Sequence, residues 1–276
     1  MKPVFLKAMA VFVASVLGTV IAFILFSGIE ALVSGRDLSL FGSVWNPNAG
    51  KFGILTMIQA SILLAVSSLL IGWSLSLGCC CVLNGLGPRF IAKFLMAVLT
   101  LMSAIPTVVY GFAAVFLLVP VIREVLGGTG FCWLTASLIL ALQGVPTMTF
   151  IMHGAMSSIS SQTRLTSTAL GLTPLQHLSR VVLPLSTKSM TAAAILGLGR
   201  ATGDALIPVM LAGNAIRFAR SPLDSMRTLT AHISLVLSSD IGGGEHLSLL
   251  LAGALLLTFC AVISLISRRL QARRGN

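Results

Sequence analysis

Six long apolar runs, at about 8–29, 54–78, 94–120, 131–153, 189–213 and 247–267, leave this chain too little polar surface to coat a globule in water. A helix needs roughly 20 apolar residues to cross the hydrocarbon of a bilayer. Charged residues make up 9% of the 276, against about a quarter in soluble domains. The pattern predicts an all-α integral membrane protein of about six transmembrane helices with no separate soluble domain. The first run is longer than the roughly 7–15 residues of a secretory h-region and lacks a small-x-small site after it, so it is expected to be retained. Pro106 and Pro146, inside the third and fourth runs, predict kinks.

The formal net charge of +11 suggests nucleic acid only if the basic residues share one wet face. They lie between the apolar runs instead, and no nucleic-acid partner is expected. Lys2, Lys7, Arg89, Lys93, Arg164, Arg180, Lys188, Arg268, Arg269, Arg273 and Arg274 fall on one side of the spans, without any acid. Glu30, Asp37, Glu124, Asp224, Asp240 and Glu245 fall on the other, with Arg36, Lys51, Arg123, Arg217, Arg220 and Arg227. By the positive-inside rule the first side, with both termini, is cytoplasmic.

Signatures of chemistry are missing. There is no G-x-x-x-x-G-K-[ST] to cradle a nucleotide, no H-E-x-x-H and no G-x-S-x-G. Cys79, Cys80 and Cys81 are consecutive, so on a helix they point about 100° apart and cannot converge on one metal. They and the isolated Cys132 and Cys260 read as small buried or lipid-facing side chains. His153, His177, His232 and His246 are too dispersed for a metal site. Neither a catalytic residue nor a metal ligand is expected.

Two charges do fall inside a span. Arg200 and Asp204 stand four apart in the fifth run, on one face of a helix and within reach of each other. Charges near the bilayer centre cost at least about 2.5–3.5 kcal/mol and usually face a bundle interior or a water-filled path. The guanidinium suits an oxyanion such as phosphate; the competing reading is an internal ion pair that packs helices. Asn214 and the basic residues Arg217, Arg220 and Arg227 follow, either steering anions to the mouth or lying solvated in a loop. Ser103, Thr107 and Tyr110 around Pro106, and Gln143 and Thr147 around Pro146, either line a pathway or join helices by hydrogen bonds.

The loop at about 154–187 reads as structured. Ser157 to Leu170 is expected to be a short helix closed by Gly171. Thr173-Pro174-Leu175-Gln176 restarts it, with Thr as N-cap, Pro at N1 and Gln completing a capping box, and Pro184 closes the second piece. Such a hairpin offers a partner protein something to push on.

At these residues the chain resembles a known family. The run Ala169-Leu-Gly-Leu-Thr-Pro-Leu-Gln with Arg180-Val-Val-Leu-Pro184 is similar to the cytoplasmic EAA loop of ABC-importer permeases, which docks as a coupling helix on the ATPase. Gly197-Leu-Gly-Arg-Ala-Thr-Gly-Asp204, Ala212-Gly-Asn214, Arg227-Thr-Leu-Thr-Ala231, Ile105-Pro-Thr-Val-Val-Tyr-Gly111, Trp45-Asn-Pro and Phe52-Gly-Ile-Leu55 resemble the PstC-type subunit of the phosphate importer. The resemblance implies an ABC type I importer permease fold: a first helix and outer loop in 1–53, and a transmembrane domain of helices two to six in 54–270. It implies a bacterial inner-membrane location, a pathway using Arg200, Asp204, Asn214 and Tyr110, and coupling through Ala169, Gly171, Thr173, Pro174, Gln176, Arg180 and Pro184. The implied partners are a second, PstA-like permease subunit, two PstB-like ATPase subunits that bind ATP and Mg²⁺, and an extracytoplasmic PstS-like phosphate-binding protein. No cofactor is implied for this chain itself. Two departures stand out: Asp204 replaces the family's usual Glu, and Leu165-Thr166-Ser167 replaces Glu-Ala-Ala. Competing readings are a permease for another oxyanion, such as sulfate or molybdate, and a membrane enzyme or scaffold without transport.

Overall fold

The structure is a computed structural model that describes residues 3–34, 42–237 and 244–273. Lys2, Arg36, Asp37, Asp240 and Arg274 of the charge map lie outside the described residues, as do the side chains of Lys7, Glu30, Arg268, Arg269 and Arg273.

Helices dominate because each apolar run must satisfy its own backbone bonds in lipid. They are α1 (Pro3–Ser34), α2 (Leu55–Cys81), α3 (Arg89–Ala104), α4 (Thr107–Leu126) and α5 (Trp133–Ala169), then three short or mid-length pieces α6 (Pro174–His177), α7 (Leu183–Leu185) and α8 (Thr187–Gly203). α9 (Leu206–Leu211), α10 (Leu229–Val236) and α11 (Gly244–Arg273) follow. A small antiparallel hairpin, β1 (Trp45–Asn46) against β2 (Lys51–Phe52), pairs Trp45 with Phe52 between α1 and α2.

By length and apolarity, four helices among the described residues can cross a membrane, within Leu55–Leu86, Thr107–Leu126, Trp133–Ala169 and Glu245–Leu265. A fifth crossing is available if Pro174–Leu185 and Thr187–Gly203, bent by 66°, act as one broken span, and α1 carries a shorter apolar stretch, Val13–Ile29. The third run departs from expectation. It does not kink but breaks, with Ile105 and Pro106 extended (ψ 126° and 144°), so that α4 alone has the length to span. Pro106 has no N–H and pushes the residue before it out of the helical region, which ends α3 there. Pro146, by contrast, stays inside a continuous α5.

α5 is the axis of the bundle. On α2 the buried residues Ala60, Leu64, Ser68, Gly72, Ser76 and Cys80 recur every four positions, a stripe of mostly small side chains. Small side chains let membrane helices approach closely, and larger residues of α5 fill the grooves. Met148 illustrates this: a Cβ on Gly72 of α2 would meet its Cε at 2.9 Å, and one on Gly197 of α8 would meet its Sδ at 2.5 Å. Hydrogen bonds cross the same seam, from Trp133 Nε1 to Ser67 Oγ at 2.8 Å, between Ser67 and Ser137 hydroxyls at 2.7 Å, and from Ser76 Oγ to the Val145 carbonyl at 3.2 Å. α1 stands apart and packs on α11, where Gly28 lies directly against Ala254.

Gly28→Leu is therefore expected to destabilise the protein by about 1–3 kcal/mol through overpacking, and to lower its melting temperature in detergent. Gly18→Leu on the same helix, where a Cβ meets nothing within 4 Å, should leave that temperature unchanged. Equal effects of the two would contradict the α1–α11 seam.

Candidate substrate pathway and coupling hairpin

The fifth run is broken where its charges lie. α8 ends at Gly203, Asp204 is extended (φ −75°, ψ 125°), and α9 begins two residues later. Pro208 explains the break, because its missing N–H cannot serve the carbonyl four residues earlier, that of Asp204. That carbonyl accepts the Thr230 hydroxyl of α10 at 2.9 Å instead. The Asp204 carboxylate turns forward and accepts the Ile207 N–H at 3.1 Å, capping the first turn of α9.

Arg200 and Asp204 stay one turn apart at the end of α8, but the expected ion pair between them is not formed; among the described residues the one ion pair is Arg217–Asp224, at 3.6 Å. The connection between them is backbone only, from Asp204 N–H to Arg200 C=O at 3.2 Å. Arg200 is exposed on the isolated chain. Tyr110 is buried and donates its hydroxyl to the Met102 carbonyl at 2.8 Å, tying α4 to the last turn of α3 across the Pro106 break. Gln143 donates to Thr107 Oγ1 at 2.6 Å, so that α5 also holds the start of α4.

Asn214 serves a turn. It has φ 55°, follows Gly213 at φ 81°, and donates Nδ2 to the Val209 carbonyl at 2.7 Å. The loop after it is folded by charge. Asp224 accepts the N–H groups of Arg220 and Ser221, both at 2.9 Å, and pairs with Arg217. Those backbone bonds, and then the nearby guanidinium groups, hold its carboxyl below the usual carboxylate range. Arg227 turns inward and donates Nε to the Asn214 carbonyl at 3.2 Å.

The loop at about 154–187 begins as an extension of the fourth span rather than a separate helix from Ser157, since α5 runs unbroken to Ala169. Its end forms a complete Schellman cap: Gly171 (φ 72°) donates to Thr168 C=O and Leu172 to Ser167 C=O, both at 3.0 Å. The capping box is present, with Thr173 N–H on Gln176 Oε1 at 3.0 Å and Gln176 N–H on Thr173 Oγ1 at 3.3 Å. Pro184 does not close the second piece. Leu178–Val182 widens to a π-helix, with the Leu183 N–H on the Leu178 carbonyl, and the helix continues to Leu185 before the bend into α8. Ala169, Gly171, Thr173, Pro174, Arg180 and Pro184 are exposed, Gln176 half-buried.

His177, which sequence reasoning set aside, pins this hairpin. It is buried, with Nδ1 2.8 Å from Ser167 Oγ and Nε2 3.3 Å from Ser160 Oγ of α5. Ser167 closes the segment that departs from Glu-Ala-Ala, so one element of that departure holds the hairpin in place. No spacing in the sequence signals the contact, because it depends on the Gly171 reversal.

A bundle of apolar helices about one central span, with two interrupted runs and an exposed, capped helical hairpin, is the fold of an ABC type I importer permease subunit. Solved structures share it. The inward-facing MetNI methionine ABC transporter matches at TM-score 0.61 and 17% identity, over 80% of this chain and 94% of that one. A bacterial ABC transporter involved in the import of the acidic polysaccharide alginate matches at 0.62 and 16%, over 97% and 96%. The family described as binding-protein-dependent transport system inner membrane component matches residues 82–276, and this chain belongs to it. The probable ABC transporter permease protein YqgH of Bacillus subtilis (strain 168) is 34% identical over 83% of this chain and 76% of its own length. The phosphate transport system permease protein PstC of Xylella fastidiosa (strain Temecula1) is 28% identical over 98% of this chain and 91% of its own. The PstC-type resemblance thus extends over nearly the whole sequence.

The position of Asp204 separates its charge from its cap. Asp204→Asn keeps an oxygen for the Ile207 N–H and is expected to melt within a degree or two of the parent protein. Asp204→Ala should lose about 1 kcal/mol with the cap, read as a lower melting temperature of the purified subunit in detergent. Identical melting of the two variants would rule out the capping role.

Proposed function

We propose that this chain is a membrane-spanning subunit of an ATP-driven importer and carries inorganic phosphate inward by alternating access. The observation that supports this best is the Arg200 guanidinium at the broken fifth span, without an ion pair among the described residues, in a chain whose relatives along nearly their full length are named as phosphate permeases. A guanidinium offers five donors in a planar fork, which suits a tetrahedral oxyanion.

In this reading Arg200 meets the anion when the cavity opens, with Asp204 fixing the break beside it. Tyr110 holds the α3–α4 break that borders the path, and Asn214 shapes its outer mouth. The exposed hairpin from Ala169 to Pro184 docks on the ATPase, whose closure is passed to α5 through the His177–serine contacts and to α8 through the bend after Leu185. ATP and Mg²⁺ bind the two ATPase subunits, and this chain has neither a cofactor nor a catalytic residue. A second permease subunit covers the open face of the bundle, a phosphate-binding protein delivers substrate from outside, and both termini lie in the cytoplasm.

Arg200→Ala should abolish ATP-dependent phosphate uptake in proteoliposomes while the complex still assembles; normal uptake would remove Arg200 from the path. Gly171→Leu forces a branched side chain into a left-handed position. It should lower transport per ATP hydrolysed at least several-fold, and unchanged coupling would count against docking through this hairpin.

A further inference from the structure

Trp45 of the small hairpin, Asn214 and Arg227 of the outer loop, and His232 of α10 form one contiguous polar cluster. The Arg227 guanidinium carbon lies 5.7 Å from the centre of the Trp45 ring, and its Nε bonds the Asn214 carbonyl at 3.2 Å. Trp45 meets the His232 ring edge-on, with centroids 5.3 Å apart. His232 is fully buried, whereas Trp45, Asn214 and Arg227 are half-buried.

Three atoms of this cluster are buried without a hydrogen-bond partner: Trp45 Nε1, Asn214 Oδ1 and His232 Nδ1. The terminal amino groups of Arg227 have no protein acceptor among the described residues. An unsatisfied buried polar atom costs about 1–3 kcal/mol, and three beside a cation with no acidic partner among the described residues are an expensive arrangement unless water or a ligand completes it.

The valences of these atoms define that ligand. Trp45 Nε1 is a donor only. Asn214 already uses Nδ2 on the Val209 carbonyl, so its free atom is the acceptor oxygen. Ser248 Oγ gives its proton to the Glu245 carbonyl at 2.7 Å, so at 3.1 Å from His232 Nε2 it must be accepting. Nε2 therefore carries the imidazole proton and Nδ1 is a bare lone pair. α10 lies outside the candidate spans, and burial, then the Arg227 charge, pushes His232 down to about 4, so the ring stays neutral at physiological pH.

A matching ligand needs negative charge and acceptor oxygens for Arg227 and Trp45, and O–H donors for Asn214 and His232. We propose that this cluster is a receiving site for protonated phosphate ahead of Arg200, and that its two bare acceptors reject oxyanions that carry no proton. A phosphate bearing P–OH groups offers both functions, whereas sulfate at neutral pH has no hydrogen to give. Thr228 and Thr230 connect the site to the interior, since Thr228 Oγ1 is 3.0 Å from Thr230 Oγ1, which donates to the Asp204 carbonyl. The proposal rests on the phosphate reading above.

The test uses the whole transporter in nanodiscs without its binding protein, titrated with inorganic phosphate or sulfate while tryptophan fluorescence is read. Phosphate is expected to change the emission, and the change should vanish in Trp45→Phe. Arg227→Gln should shift the midpoint at least 10-fold, and Arg227→Lys, which keeps charge but loses the fork, should shift it as well if the first variant fails to assemble. Sulfate should give no response at ten times the phosphate concentration. It should begin to compete in Asn214→Gly, which suits the left-handed backbone but lacks the amide oxygen. An undiminished response in Trp45→Phe, an unmoved midpoint in both Arg227 variants, or sulfate matching phosphate in the parent protein would overturn the site. Phosphate uptake by the parent complex with its binding protein is measured in parallel. Uptake without a Trp45 response sinks the receiving site alone, and loss of uptake sinks the phosphate reading itself.

Discussion

A backbone polar group left without a partner in hydrocarbon costs several kcal/mol, and the interrupted fifth span is organised around that constraint. Gly203 and Pro208 stop the helix, which would strand the Asp204 carbonyl and the first N–H groups of α9. The Thr230 hydroxyl takes the carbonyl and the Asp204 carboxylate takes the Ile207 N–H. Helical regularity is given up only where side chains replace it. The third run follows the same rule: Pro106 separates α3 from α4, and the Tyr110 hydroxyl recovers the Met102 carbonyl.

The seam of α2, α5 and α8 closes around Met148, which sits between two glycines where no Cβ would fit. The hairpin is joined to this seam through His177, whose ring contacts two serines of α5, and through the 66° bend into α8. α8 ends at Asp204, whose carbonyl accepts the Thr230 hydroxyl of α10.

The sequence made the helical membrane architecture legible because apolar runs of sufficient length have few other solutions in lipid. Gly171 and the Thr173–Gln176 box were readable for a different reason: caps are local, and their geometry is set by residues three or four apart. Pairing Arg200 with Asp204 failed because the Asp204 carboxylate turns forward to cap α9 rather than back along α8. The separate helix expected from Ser157 failed because a polar stretch at the end of an apolar span can simply prolong it beyond the membrane. His177 with Ser167, and Trp45 with His232, join residues 10 and 187 positions apart in sequence; no periodicity encodes either contact.

The Arg200 side chain is exposed on the isolated chain and makes no ion pair among the described residues. Facing lipid near the membrane centre, such a charge would cost several kcal/mol with nothing to offset it. The exposed face of α8 must therefore border either water or protein. The nearest acid in sequence, Asp204, caps α9 and leaves the guanidinium without an ion pair among the described residues.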